Sequence, residues 1–196
     1  MCIVCENNVD PEIIYLDCYE CQNVIELPTH LNKLKFLSIH NTNITTIPSY
    51  PSLEALYCFE SKLSSLPELP KIRKIMAQEC NIETIPNSYY RLEYLNIDDT
   101  LITEIPDTLI SLIWLSVKRT KLKSISSKLF SLEWFSAKNT KLEKLPDKMI
   151  SLQFLNISGT KVDYLNEKGY KMLLTMVCKD CNIDPFLFTS GFNVLM

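Results

Sequence analysis

Between residues 92 and 160 one pattern is written three times and begun a fourth: LEYLNIDDTLITEIP, LIWLSVKRTKLKSIS, LEWFSAKNTKLEKLP and LQFLNISGTKV, each starting twenty residues after the last. Such a period constrains the fold severely. Every unit must sit in the same environment as its neighbours, which a stack of like coils provides and a globule of one-off contacts does not. Extending the alignment outward places the first position of each unit at Ile13, Leu34, Leu53, Ile72, Leu92, Leu112, Leu132, Leu152 and Leu173, at intervals of 19 to 21 residues.

Within a unit the pattern runs L-x-x-L-x-L-x-x-T-x-L-x-x-I-P. Positions four and six are apolar and alternate with polar neighbours, the period of two expected of a short strand with one buried face. Position nine holds only Cys, Thr or Ser (Cys21, Thr42, Ser61, Cys80, Thr100, Thr120, Thr140, Thr160 and Cys181), small side chains that suit the turn leaving the strand. Proline follows the second apolar pair at Pro28, Pro48, Pro67, Pro86, Pro106 and Pro146. It lacks an N–H and holds the residue before it extended, so the return path is predicted to be extended or a single tight turn. Ser126 and Asn166 stand where this proline would be.

These units resemble the leucine-rich repeat family, and the short, proline-marked form, clearest at Leu66-Pro67-Glu68-Leu69-Pro70, is similar to repeats of bacterial effectors. The resemblance implies an α/β-class solenoid with a curved parallel sheet on its concave face, extended or short 3-10 segments on its convex face, and few or no long helices. Residues 1–12 are expected to form an N-terminal cap, 13–183 eight to nine repeats, and 184–196 a C-terminal cap, all in one domain. The apolar tail PFLFTSGFNVLM is expected to cover the last coil and to fold back over Leu174 and Val177. The family more often has Asn at position nine, so a thinner hydrogen-bonded ladder is expected here. The Asn-, Lys- and Ile-rich wording, with many cysteines, also looks like leucine-rich repeat proteins of large DNA viruses of amoebae, of the marseillevirus type. That resemblance implies a viral protein in the host cytoplasm, aimed at a host factor.

No run of apolar residues is long enough to cross a membrane as a helix, and the N-terminus MCIVCENNVD has neither the basic nor the long apolar part of a secretory signal. An intracellular protein is expected, whose eight cysteines are reduced thiols or metal ligands rather than disulfides. Cys2, Cys5, Cys18 and Cys21 have the spacing of a four-thiolate zinc site. The repeat supplies another reason for it, because positions six and nine are always three apart and both accept cysteine as a small apolar side chain. No metal or other cofactor is assigned. With two histidines, His30 and His40, both read as solvated, and three glycines, neither a His-centred catalytic group nor a phosphate-cradling loop is expected. No enzyme activity is assigned.

The net charge of −3 does not point to nucleic acid or a membrane as partner. It hides a basic sector: Leu112 to Ser151 carries nine Lys or Arg against three Asp or Glu. On the sheet side, position three reads Tyr15, Phe36, Ala55, Lys74, Tyr94, Trp114, Trp134, Phe154 and Thr175, and Tyr57, Tyr19 and Phe59 widen this stripe. The tryptophans are expected to be solvent-exposed neighbours. Such a stripe either stiffens the sheet as cross-strand pairs or binds a protein through aromatic hot spots. Positions seven and eight change from Asp98 and Asp99 to Lys118, Arg119 and Lys138 between the fifth and sixth coils, a step that would orient a partner. The expected partner-binding residues are Tyr57, Phe59, Tyr94, Asp98, Asp99, Trp114, Lys118, Arg119, Trp134, Lys138 and Phe154. The expected function is protein binding on the concave face by a monomer or weak homodimer, with a self-associating structural or virion component as the alternative.

Overall fold

The computed structural model describes residues 3–5, 9–184, 188 and 191–196. Nine three-residue strands fall on positions three to five of the nine units: β1 (Tyr15–Asp17), β2 (Phe36–Ser38), β3 (Ala55–Tyr57), β4 (Lys74–Met76), β5 (Tyr94–Asn96), β6 (Trp114–Ser116), β7 (Trp134–Ser136), β8 (Phe154–Asn156) and β9 (Thr175–Val177). A tenth, β10 (Asn193–Leu195), follows, and all ten form one parallel sheet in chain order. The register keeps equivalent positions side by side, as in Trp114↔Trp134 and Leu115↔Phe135. A solenoid with equal columns results.

Each coil contributes to a single continuous core. Position four is buried throughout, from Leu16 to Met176, and position six likewise, from Cys18 to Cys178; the apolar residues at positions eleven and fourteen, such as Ile102 and Ile105, close the core from the convex side. One coil alone would leave these edges wet, and each large side chain contributes about 1.5–3 kcal/mol only once a neighbour covers it.

The return path is non-helical apart from one 3-10 turn, Glu167–Gly169. That turn lies in the eighth coil, where Asn166 replaces proline and frees the backbone from its extended path. A Cβ on Gly169 would lie 1.8 Å from the Asp147 carbonyl oxygen, so a larger residue cannot fit this turn without moving the coil below. Three residues before each new unit a large side chain plugs the convex edge, and in three coils it is tyrosine. Tyr50, Tyr89 and Tyr170 are almost wholly buried and donate their hydroxyls to the carbonyls of Pro28, Pro67 and Pro146 of the preceding coil, at 2.7, 2.5 and 2.8 Å. Proline thus does two things: it shapes its own coil and presents an acceptor to the next.

Position eight, charged in several coils, also has a distinct backbone conformation. Glu20, Asn41, Glu60, Glu79, Asp99, Arg119, Asn139 and Asp180 all have φ between 53° and 60°, and Gly159 has 66°. This left-handed residue turns the chain out of the strand while its N–H still bonds the next coil, as in Glu60 N–H to the Gln78 carbonyl at 2.9 Å. The hydroxyl at position nine then closes the turn on its own coil: Thr100 Oγ1 donates to the Ile97 carbonyl at 2.7 Å, and Thr42, Ser61, Thr120, Thr140 and Thr160 repeat the bond. Cys80 is different and donates across to the Cys58 carbonyl at 2.9 Å.

The ends add features that the repeat pattern does not contain. Of the C-terminal tail, β10 lies beside β9 with Leu195↔Val177 in register and Phe188, Phe192 and Val194 pack against the core, while Leu174, over which the tail was expected to fold, is 62% exposed. Extending an existing ladder satisfies more backbone groups than lying across side chains, and Asn-Val-Leu offers the alternation a strand requires. Cys178 and Cys181, expected as thiols, form a disulfide; positions six and nine hold their Cα atoms 5.4 Å apart, within disulfide reach. Parts of both expected caps, and Cys2 of the four cysteines with zinc-like spacing, lie outside the described residues. Cys5 Sγ sits 3.3 Å from Cys21 Sγ, which ties the N-terminal segment to the first coil. Among the described residues no three Cys, His, Asp or Glu converge as metal ligands, and no helix is long and apolar enough to cross a membrane.

Candidate functional site

The sheet side chains at positions three, five and seven build two aromatic clusters. Toward the C-terminus the strand register sets Trp114 on Trp134, with ring centroids 4.5 Å apart and planes 9° from parallel, and Trp134 on Phe154 at 5.0 Å and 5°. Position five in coils six and seven is Ser116 and Ser136, both fully buried, so nothing bulky pushes the indoles out of line. The tryptophans were expected to be solvent-exposed. They are partly buried instead, because each ring covers a face of the next and leaves an edge to solvent.

Toward the N-terminus there are two aromatic columns. At position seven Tyr19, His40 and Phe59 stack with centroid distances of 4.2 and 4.3 Å, both at 23°. His40 is therefore not the solvated side chain expected: its ring is sandwiched, and its Nδ1 lies 2.9 Å from Ser38 Oγ. Beside it, Tyr15 stacks on Phe36 at 4.6 Å, and Phe36 meets Tyr57, one column over, at 4.9 Å. Lys74 Nζ lies 5.1 Å from the Tyr57 ring centre. The expected partner-binding residues included Tyr57 and Phe59; Tyr15, Tyr19 and Phe36, which the expected stripe contained, and His40 were not among them. Tyr19, His40 and Phe59 share position seven, which in an in-register sheet makes them neighbours.

Between the clusters, the acid-to-base step proves to be internal. Asp98 is buried; its Oδ1 accepts from Ser116 Oγ at 2.6 Å and from the Lys118 N–H at 2.7 Å, and Lys118 Nζ stands 3.5 Å from Oδ2. Arg119 meets Asp99 with two parallel bonds, Nε to Oδ1 at 2.5 Å and Nη2 to Oδ2. The four charges lie twenty residues apart in pairs, one coil over the next, so they neutralise one another. They join coils five and six, with the Lys118 and Arg119 side chains still 33% and 51% exposed. Lys138 remains exposed, and Tyr94 is 40% exposed beside Trp114 in the register.

A second group of charges is not cancelled in this way. Among the described residues Asp17, Glu20, Glu60 and Glu79 make no ion pair within 4 Å. Their field reaches the aromatic columns: the Tyr19 phenol is held above its usual range by a hydrogen bond with Glu20, by desolvation, and by the charges of Glu20, Asp17 and Glu60. A shallow hollow of about 590 Å³ opens at this end, lined by Asp17, Tyr19, Glu20 and Gln22 among others.

Buried thiols form the remaining cluster. The Cys80 thiol is pulled down to about 7 by its hydrogen bond with Cys58, against the upward push of burial, while burial drives Cys58 well above the usual thiol range. Both are enclosed in the core, so the pair has no route to a substrate.

No protein-family model and no curated protein matches this sequence. Solved structures do match in shape. The functional domain of InlJ from Listeria monocytogenes, described as including a cysteine ladder, aligns over 93% of this chain and 42% of its own, with TM-score 0.81 and 17% identity. The leucine-rich repeat protein FLRT2, in an octameric complex with Latrophilin 3 and Unc5D, aligns over 95% and 70%, with TM-score 0.75 and 18% identity. A leucine-rich repeat protein of Leptospira interrogans aligns over 83% and 59%, with TM-score 0.56 and 20% identity. The chain spans less than half of the InlJ domain. At such identities the likeness concerns architecture: this chain has the leucine-rich repeat fold.

Proposed function

We propose that this chain is a non-catalytic module that binds a partner protein on its concave face, with Trp114, Trp134 and Phe154 as the central anchor. The observation that carries this reading is the three-ring stack, which holds large apolar edges rigidly at the sheet surface. Rings locked in place before binding lose little freedom on association, and tryptophan is prominent among residues that dominate interface energetics. FLRT2, of similar fold, is found in a complex with two other proteins, which supports the reading.

The finer proposal is a viral protein that engages a host factor inside the cell. It rests on the wording of the sequence. The test is affinity capture from amoebal lysate with wild type and Trp114→Ala/Trp134→Ala, both shown to be folded by circular dichroism. The variant should lose the specific partners; identical partner sets would refute the anchor.

Self-association is the second reading, favoured by Leu174, Leu195 and Met196, which are 62%, 53% and 64% exposed together at the C-terminal edge. Light scattering separates the two: a stable dimer in which the tryptophans are shielded from quenchers would overturn the partner-binding version.

A further inference from the structure

We propose that the N-terminal part of the concave face, in coils one to four, takes an arginine-bearing cationic segment of the partner protein; this rests on the concave-face reading above and names the chemistry of what binds there. Two independent features converge on that chemistry. The first is the double aromatic column, in which Tyr15 and Tyr19 each stack on one neighbour only and are 54% and 51% exposed, so each offers its other ring face to a cation. The chain already shows the interaction on itself, with the Lys74 ammonium 5.1 Å from the Tyr57 ring centre. The second is the rim of Asp17, Glu20, Glu60 and Glu79, acids with no ion pair among the described residues, beside a hollow that Tyr19 and Glu20 line.

The rim is held against the preference of the backbone. Glu20, Glu60 and Glu79 occupy the left-handed position eight, with φ of 55°, 55° and 60°, where Asn, Asp or Gly is adopted more readily and where other coils of this chain do carry Asn, Asp or Gly. Strain retained at a surface acid points to a use for the charge. The rest of the face directs a cation to the same end. Asp98 and Asp99 are neutralised by Lys118 and Arg119, and exposed Lys138 lies beyond them. A cationic segment is repelled from coils six and seven and drawn to coils one to four, whereas an anionic surface, lipid or nucleic acid, would be turned away there. Guanidinium stacks on aromatic faces and forks to carboxylates, so arginine suits the site better than lysine.

The experiment uses fluorescein-labelled Arg-Ser, Lys-Ser and Glu-Ser repeat peptides and the full chain, read by fluorescence anisotropy. The arginine peptide should bind most tightly, the lysine peptide more weakly and the glutamate peptide not at all. Glu20→Gln/Glu60→Gln/Glu79→Gln keeps side-chain shape and backbone demand and should weaken arginine-peptide binding about tenfold, the scale of three exposed ion pairs. Tyr19→Ala/Phe59→Ala should remove the preference for arginine over lysine. Failure of the arginine peptide to bind, or equal binding by wild type and the triple Gln variant, overturns the inference. Lysate capture keeps the two readings apart. If the tryptophan variant loses partners that the triple Gln variant keeps, the concave anchor stands and the cationic site falls; under the opposite pattern the cationic site stands and the anchor falls.

Discussion

The two aromatic clusters stand on the same repeat frame and yet differ in width, order and electrical surroundings. Trp114, Trp134 and Phe154 form one column with planes within 9° of parallel, beside buried serines. The N-terminal rings spread over positions three, five and seven, tilt by 15° to 32°, and lie among acids without ion pairs. The cause lies at positions five and seven. Small residues at five let the tryptophans stack squarely in one column; Tyr57 at five and aromatics at seven fill the space and force a wider, less regular patch. A leucine-rich repeat frame fixes where side chains stand and leaves open what kind of surface they make. The two ends can therefore serve different chemistry, one a flat apolar plate and the other a cation-attracting patch, separated by the ion-paired joint of coils five and six.

The largest expected effect tests whether the two halves are equally well tied beneath these surfaces. Burial raises the phenols of Tyr50, Tyr89 and Tyr170 well above the usual range. Their stabilising effect is whole below pH 10, the unfolded value, and is lost as the pH climbs toward the folded values, because the unfolded chain releases protons that the folded chain keeps. Each tyrosine then weakens the fold by up to about 1.4 kcal/mol per pH unit, so three give a slope of about 4 kcal/mol per pH unit. Denaturant titrations at rising pH should show this slope from about pH 10, and Tyr50→Phe/Tyr89→Phe should remove two thirds of it, confined to the N-terminal half. A slope unchanged in that variant would break the picture of hydroxyls sealed against Pro28 and Pro67.

The joint comes next. Asp98→Ala strips the buried Ser116 hydroxyl and the Lys118 N–H of their acceptor, at a cost of about 2–3 kcal/mol. Asp99→Asn, which loses only a partly exposed ion pair and keeps a side chain suited to the left-handed backbone, should cost no more than ~0.5 kcal/mol. Equal costs in urea unfolding would mean that the sheet, not Asp98, joins the halves.

Within the clusters the expected effects shrink further. Trp134 is stacked on both sides, so Trp134→Ala should cost about 1–3 kcal/mol, whereas Tyr15→Ala, at an exposed end with one stacking partner, should cost well under half as much. Similar values for both would erase the distinction between plate and patch.

Much of this architecture is legible in the sequence, and the reasons are local. All nine strands fall where Ile13 to Leu173 set the period, because alternation at positions four and six is a property of each coil by itself. The tryptophan contact was legible too, since a parallel in-register sheet makes equal positions neighbours. What was not legible depends on two coils at once or on backbone dihedrals. Asp98 and Lys118 read as a surface gradient because single-coil reasoning does not ask whether one side chain reaches the next. Position eight read as charge, although Asn41, Asp99, Asn139, Gly159 and Asp180 there signal a left-handed residue. The tail reads as a cover for the last coil because it is apolar; the strand it also adds was not legible, since that depends on the open edge of β9.

The smallest effect sharpens the comparison most. Glu60→Asn at φ 55° replaces a side chain that strains the left-handed backbone with one that tolerates it, and no ion pair is lost, so the fold should gain about 0.5–1 kcal/mol. Arg119→Asn, at the same φ, makes the same gain but gives up the bond to Asp99, so its net change should be close to zero. Thermal unfolding of the two variants compares them directly. A stabilised Glu60→Asn beside a neutral Arg119→Asn would mean that Arg119 is explained by the joint while Glu60 weakens the fold that carries it. That asymmetry is expected if the acidic rim serves binding at the N-terminal patch; a Glu60→Asn chain no more stable than wild type would remove the strain argument and leave the rim as ordinary solvated surface.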